Sequence, residues 1–191
     1  MSICVLVVAV LLSATAALPP GQSYKNTAPE SFRANAQAIE GIGGLAAALA
    51  FQVDAYTPDA DRERLLAALK SGGSPAFVEA LKKEKAVGYV QSGDRKIAVR
   101  YARATPTAGG GRRIVLVTDA PAYFVGGGAL DAAPKTGYDV AVIEFEVDSV
   151  GLGSGSMAAA ARVKAGGPAG VQIDDYAKQP IKLVTVSRNV S

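Results

Sequence analysis

Along most of the chain large apolar side chains return at every second position, the spacing of extended strands with one face on a core and the other on water. The longest such run covers residues 138–148, where Ala141, Ile143, Phe145 and Val147 point one way and Glu144, Glu146 and Asp148 the other. Val140 and Val142 interrupt the polar side and predict partial cover at that end. Residues 49–56 alternate in the same manner, and 87–91 with 96–103 flank Ser92-Gly93-Asp94 as a hairpin. In the second hairpin strand Ile97, Val99 and Tyr101 are expected to share a face. Ile114-Val115-Leu116-Val117 is continuously apolar, which predicts an interior strand covered on both faces. After a glycine turn at 151–155, Met157, Ala159, Ala161 and Val163 line one face of a returning strand, and 171–173 and 181–186 read as the last two.

The period changes once. Thr57 supplies a capping hydroxyl, Pro58 fits the first helical position, and Leu65, Leu66 and Leu69 form one stripe. Gly72-Gly73 ends that helix, and Ser74-Pro75 opens a second in which Phe77, Val78 and Leu81 repeat the stripe. The pattern predicts an α+β fold: a mainly antiparallel sheet of about seven strands, as a curled sheet, sandwich or partly open barrel, with an inserted helical hairpin over 58–84.

The N-terminal region changes what counts as the folded chain. Residues 3–12 are apolar and Ser13-Ala14-Thr15-Ala16 follows with small residues, so 1–16 reads as a signal peptide, with a retained anchor as the alternative. Residues 17–44, rich in Pro, Gly and Ala, read as a flexible tether in which a short helix over 30–39 is permitted. A single β-rich domain would then fill 45–191. An exported chain of this kind is expected to be secreted or periplasmic, with no stable membrane insertion after cleavage.

Composition narrows the chemistry. The sequence holds 20 basic and 17 acidic residues for a net charge of +3, mixed along the chain, which is no nucleic-acid footprint. It has no His and no Trp, and its one cysteine, Cys4, lies in the apolar leader. No disulfide is therefore expected, and thiol, imidazole and Ser-His-Asp chemistry is excluded by inventory, as are zinc, copper and haem. No cofactor is expected. Lys135-Thr136-Gly137 imitates a β-lactamase element, but no S-x-x-K accompanies it. Asp59, Asp61 and Glu63 imitate a calcium loop, but Arg64 stands where the glycine is required.

Val117-Thr118-Asp119, Gly126-Gly127-Gly128, Gly151-Leu152-Gly153 with Met157–Arg162, Gly170-Val171-Gln172-Ile173-Asp174-Asp175-Tyr176 and Pro180-Ile181-Lys182-Leu183 give the chain, from about Leu45 on, a pattern that resembles a family of small secreted bacterial proteins of uncharacterised function. The resemblance implies a bacterial, exported origin and transfers no activity.

Three functions are then open. The first is a non-catalytic protein that binds a partner or small ligand through residues 119–137, where Tyr123 and Phe124 meet Gly126, Gly127 and Gly128 in a segment too irregular for a strand. The second is a carboxylate-dependent hydrolase of glycoside-like substrates using Asp119 and Glu144, although outward acids on a sheet commonly pair with arginines across strands. The third is a structural or assembly protein with no pocket. Asp174 and Asp175 are the candidates for a calcium site.

Overall fold

A computed structural model describes residues 28–37, 47–123 and 135–189. The signal peptide, most of the tether, Phe124 and Gly126–Gly128 lie outside the described residues. Among the described residues nine strands are connected antiparallel: β1 (Glu30–Gln37), β2 (Ala47–Val53), β3 (Gly88–Ser92), β4 (Arg95–Pro106), β5 (Arg112–Thr118), β6 (Val140–Val147), β7 (Leu152–Ala165), β8 (Val171–Tyr176) and β9 (Ile181–Asn189). β1 pairs with β9 and β6 pairs with β7, so eight strands close into a ring and β8 hangs on the upper half of β7. The α+β expectation is therefore corrected to a closed antiparallel β-barrel with one extra strand and a single helix. Closure depends on a strand that the sequence reading assigned to the tether. Residues Glu30–Gln37 form β1, with Phe32, Ala34 and Ala36 buried inward and Arg33, Asn35 and Gln37 exposed.

An eight-stranded barrel has an interior just wide enough for side chains to fill or for one small ligand. Here side chains fill it. Phe32, Phe51 and Phe145 meet at its centre, at ring separations of 5.0 and 5.5 Å, with Leu116, Ile143, Met157 and Leu183 around them. Space is so short that a Cβ on Gly155 would stand 2.5 Å from the Cβ of Phe145, which fixes glycine there.

Where two separate helices were expected, the chain forms the single element α1 (Asp59–Lys83), whose backbone leaves helical geometry at Gly73, φ 66°. Arg64 at one end reaches Glu84 at the other, 2.8 Å away, so the element doubles back on itself. Its Leu65, Leu69, Phe77, Val78 and Leu81 cover a second core on the outside of the barrel, against Val115 and Val117 of β5, Val140 and Val142 of β6, and Ala158, Ala161 and Val163 of β7. This is the cover that Val140 and Val142 implied. Thr57 does not cap α1; its hydroxyl accepts from the Ala102 N–H instead, at 2.9 Å.

Two irregularities redirect side chains. A register shift between Val99 and Tyr101 turns Tyr101 out of the interior toward α1, where its hydroxyl donates to the Ala169 carbonyl and burial pushes the phenol up to about 12. A second shift, opposite Val140 and Val142, sends Ala161 and Val163 to the helix side while Met157 stays inside. Neither set shares one face as the simple alternation predicts.

The two ends of the interior are closed differently. At one, Ala122 is fully buried and donates its N–H to the Ala159 carbonyl at 2.7 Å. At the other, Glu30 points inward with its carboxylate 1 % exposed. Arg112 donates to both of its oxygens, Tyr56 donates its hydroxyl to one, and Arg188 stands 3.0 Å from the other. Burial alone would raise the Glu30 pKa. The hydrogen bonds from Arg112 and Tyr56 and the two guanidinium charges overcome that and hold it below the usual carboxylate value.

A carboxylate with a depressed folded pKa stabilises the fold at pH values above its unfolded pKa, about 4.3, and that contribution is lost as pH falls through the folded value. Glu30→Gln should cost about 3–5 kcal/mol at pH 7, because it leaves buried arginines without their counter-charge. Urea midpoints should also fall less steeply with acid in the variant than in the parent. Equal acid limbs in the two proteins would assign the acid sensitivity to other groups.

Candidate functional site

The acids singled out in the sequence are each engaged in the fold. Arg100 donates to Asp119 at 2.6 Å and also to the Glu84 carbonyl, tying the exit of β5 to the end of α1. Glu144 lies on the outer wall beside Glu146, and both face Arg113, whose Nε is 3.3 Å from Glu144. Asp119 follows the end of β5 whereas Glu144 pairs with Val115 in its middle, so the two acids stand at different levels of the wall and form no common cleft. Asp174 pairs with Lys164 and Asp175 with Arg162. The Tyr138 hydroxyl, the Tyr176 N–H and Arg162 together lower the Asp175 pKa. No group of acids suited to a metal ion occurs among the described residues.

Of the aromatic loop, Tyr123 is half-buried and its hydroxyl has no hydrogen-bond partner among the described residues. Phe124, Gly126, Gly127 and Gly128 lie outside the described residues, so their arrangement with Tyr123 is not part of the geometry.

A broad concavity lies elsewhere, on the half of the wall that α1 leaves bare. It is a groove of about 710 Å3 across the outer faces of β9, β1, β2 and β3. Arg33 and Asn35 of β1, Gln91 of β3, and Thr185 and Ser187 of β9 supply its polar groups, and Ala48 and Ala50 of β2 keep its floor low. Its shape follows from an irregularity in β9. Arg33 pairs with Ser187 but Asn35 pairs with Val184, so one extra residue is inserted on the β9 side. Such bulges bend a strand and re-aim its side chains.

At that bulge Thr185 has φ 49°, the only non-glycine residue with positive φ among the described residues. A β-branched residue is poorly suited to the left-handed region, and conformations of this kind concentrate where a site needs a side chain held in place. The Thr185 hydroxyl accepts a hydrogen bond from the Asn35 amide at 3.1 Å, which joins the two sides of the groove.

Arg33 is the electrostatic feature of the groove. Among the described residues every arginine except Arg33 and Arg95 is paired with a carboxylate. The four strands of this wall contain one acid, Glu30, and it faces the interior. The groove offers a guanidinium, amides and hydroxyls over small apolar residues.

Sequence reasoning missed this site because its signal is weak. The run ESFRANAQ alternates, but alanine at the inward positions is a faint hydrophobic mark, and the preceding Pro and Gly residues suggested a tether. No protein-family model, curated protein or solved structure matches the chain.

Relief of the strain at the bulge is measurable. Thr185→Asn, which keeps a side-chain hydrogen-bonding group and tolerates positive φ, should raise stability by about 0.5–1 kcal/mol in urea denaturation. Thr185→Val, with the same shape and no hydroxyl, should lower it by about 0.5–1 kcal/mol. A destabilised Asn variant would show that the threonine conformation carries no strain.

Proposed function

We propose that the protein is an exported, non-catalytic binding domain that takes its ligand in the groove on β9, β1, β2 and β3. The observation that carries this reading is the coincidence, in one groove, of a broad concavity, a strained residue and a guanidinium without a carboxylate partner among the described residues. The filled interior supports it further, because a ligand has to be recognised on the outside of this barrel. The bare wall carries Arg33, Asn35, Gln37, Gln52, Gln91 and Lys182 outward, where a lipid-facing barrel carries an apolar band, and this supports a domain surrounded by water.

Ala50→Trp fills the groove floor at a partly exposed position, where substitutions usually change stability by less than about 0.5 kcal/mol. Native mass spectrometry of protein recovered from its host should find a retained small molecule on the parent and none on the variant. Retention by Ala50→Trp, with loss in the double variant Tyr123→Ala and Phe124→Ala, would move the site to the 119–137 loop. That loop is the second reading, favoured by the Tyr123 hydroxyl, which has no hydrogen-bond partner among the described residues.

Export is supported by the apolar run at 3–12 and the small residues after it. Protein recovered from outside the cytoplasm should have the mass of a chain lacking about its first sixteen residues. Recovery of the full-length mass would exclude cleavage.

A further inference from the structure

We infer that the ligand of this groove is an acidic glycan, a sugar chain bearing carboxylates, with Arg33 as the group that reads the charge; the inference rests on the groove being the binding site. Three observations select this class. The first is charge. Arg33 presents a guanidinium fork from the middle of β1 into a groove whose other polar side chains are neutral. A planar fork suits a planar carboxylate with two parallel hydrogen bonds. Lys182, exposed on β9 opposite Gln37, adds positive charge on the same wall.

The second observation is the neutral lining. Asn35, Gln91, Thr185 and Ser187 provide amides and hydroxyls, each able to donate and accept, which suits a ligand made mostly of hydroxyl groups. The Ala48 and Ala50 floor lets a ring approach the sheet. A groove of about 710 Å3 falls within the size of small-ligand sites, roughly 300–1,000 Å3.

The third observation separates a glycan from an extended acidic peptide. Peptides bind sheets chiefly by adding a strand to an open edge, where main-chain hydrogen bonds supply the affinity. β9, β1, β2 and β3 each have a paired neighbour on both sides; only Ala47–Leu49 lie beyond the β2–β3 ladder, and there the Ser92 hydroxyl donates to the Ala48 carbonyl, so the groove offers a peptide no strand-length edge. Recognition there proceeds through side chains alone.

The test uses the full-length mature protein and three probes: an oligomer of galacturonate, the neutral oligomer of galactose of the same length, and oligoglutamate. Binding is followed by calorimetry and by amide shifts in NMR spectra, with parent, Arg33→Gln and Arg33→Lys. Arg33 is exposed, so both variants should fold, which circular dichroism checks. The expected result is galacturonate binding that weakens with salt, perturbs Asn35, Gln91 and Thr185, and drops by roughly 10–100-fold in Arg33→Gln. Arg33→Lys should fall between, because lysine keeps the charge without the fork. Equal binding of both sugars in the groove, indifferent to Arg33→Gln, overturns the acidic class and leaves the groove as the site. Preferential binding of oligoglutamate, lost in Arg33→Gln, overturns the glycan in favour of a peptide. Shifts confined to residues outside the groove, or none with any probe, overturn both the inference and the reading beneath it.

Discussion

The pairing of β9 with β1, which closes the ring, is the constraint from which the rest of the molecule follows. An open sheet of these strands would leave two edges and a face to cover. Closure leaves no edge within the ring and sets a small radius, so the interior is settled by side-chain volume: three phenylalanines at the centre, and glycine at 155 because nothing larger fits beside Phe145. Once the interior is full its ends must be sealed. Ala122 does this at one end with an apolar contact and a main-chain hydrogen bond, and Glu30 with Arg112, Tyr56 and Arg188 does it at the other with charge. The ionic seal needs all of its partners, since an isolated buried carboxylate would have to neutralise.

The wall of the barrel is asymmetric, and the proposed binding groove follows the asymmetry. Along β4, β5, β6 and β7 the outward positions beneath α1, among them Tyr101, Val115, Val142 and Ala161, are apolar, and α1 covers them, folding back at Gly73 so that its parts span the strands, while Arg113, Glu144 and Glu146 stay outside that cover. The β7–β8 extension completes that cover: the Val163 N–H donates to the Ser74 hydroxyl, and Tyr101 reaches the Ala169 carbonyl. Where α1 lies, both faces of these strands are therefore committed to packing. On β9, β1, β2 and β3 only the inner face is committed. Their outer side chains are free to vary in chemistry at small cost in stability, and here they carry amides, hydroxyls and unopposed positive charge around a bulge.

Elements decided by local pattern were legible in the sequence, and those decided by distant pairing were not. Ile114-Val115-Leu116-Val117 announced cover on both faces, and the buried positions of β5 agree. Val140 and Val142 announced a cover now seen to be α1. Asp119, Glu144, Asp174 and Asp175 were readable as acids but their partners were not, because Arg100, Arg113, Lys164 and Arg162 reach them across the sheet. β1 was illegible for a physical reason: alanine gives little contrast with Asn and Gln, and a strand whose partners lie at the far end of the chain announces neither its pairing nor ring closure. The register shifts at Tyr101, beyond Ala158 and at Thr185 have no signature in alternation, and they decide which side chains face α1 and which border the groove.

A closed barrel also determines how its surface can recognise anything. With the ring's main-chain groups engaged in the ladders, affinity on the bare wall must come from side chains held in fixed positions. Rigid β strands supply that placement at little entropic cost, and the Asn35–Thr185 hydrogen bond fixes two of the groups further. The charge of the wall has the same origin as the fold's stability. Glu30, the one acid of these four strands, is turned inward to seal the interior, so Arg33 and Lys182 stand outside without a carboxylate beside them on their own strands. The residue that seals the barrel thereby leaves its outer wall positive, and the proposed preference of the groove for an anion traces to the way the interior is sealed.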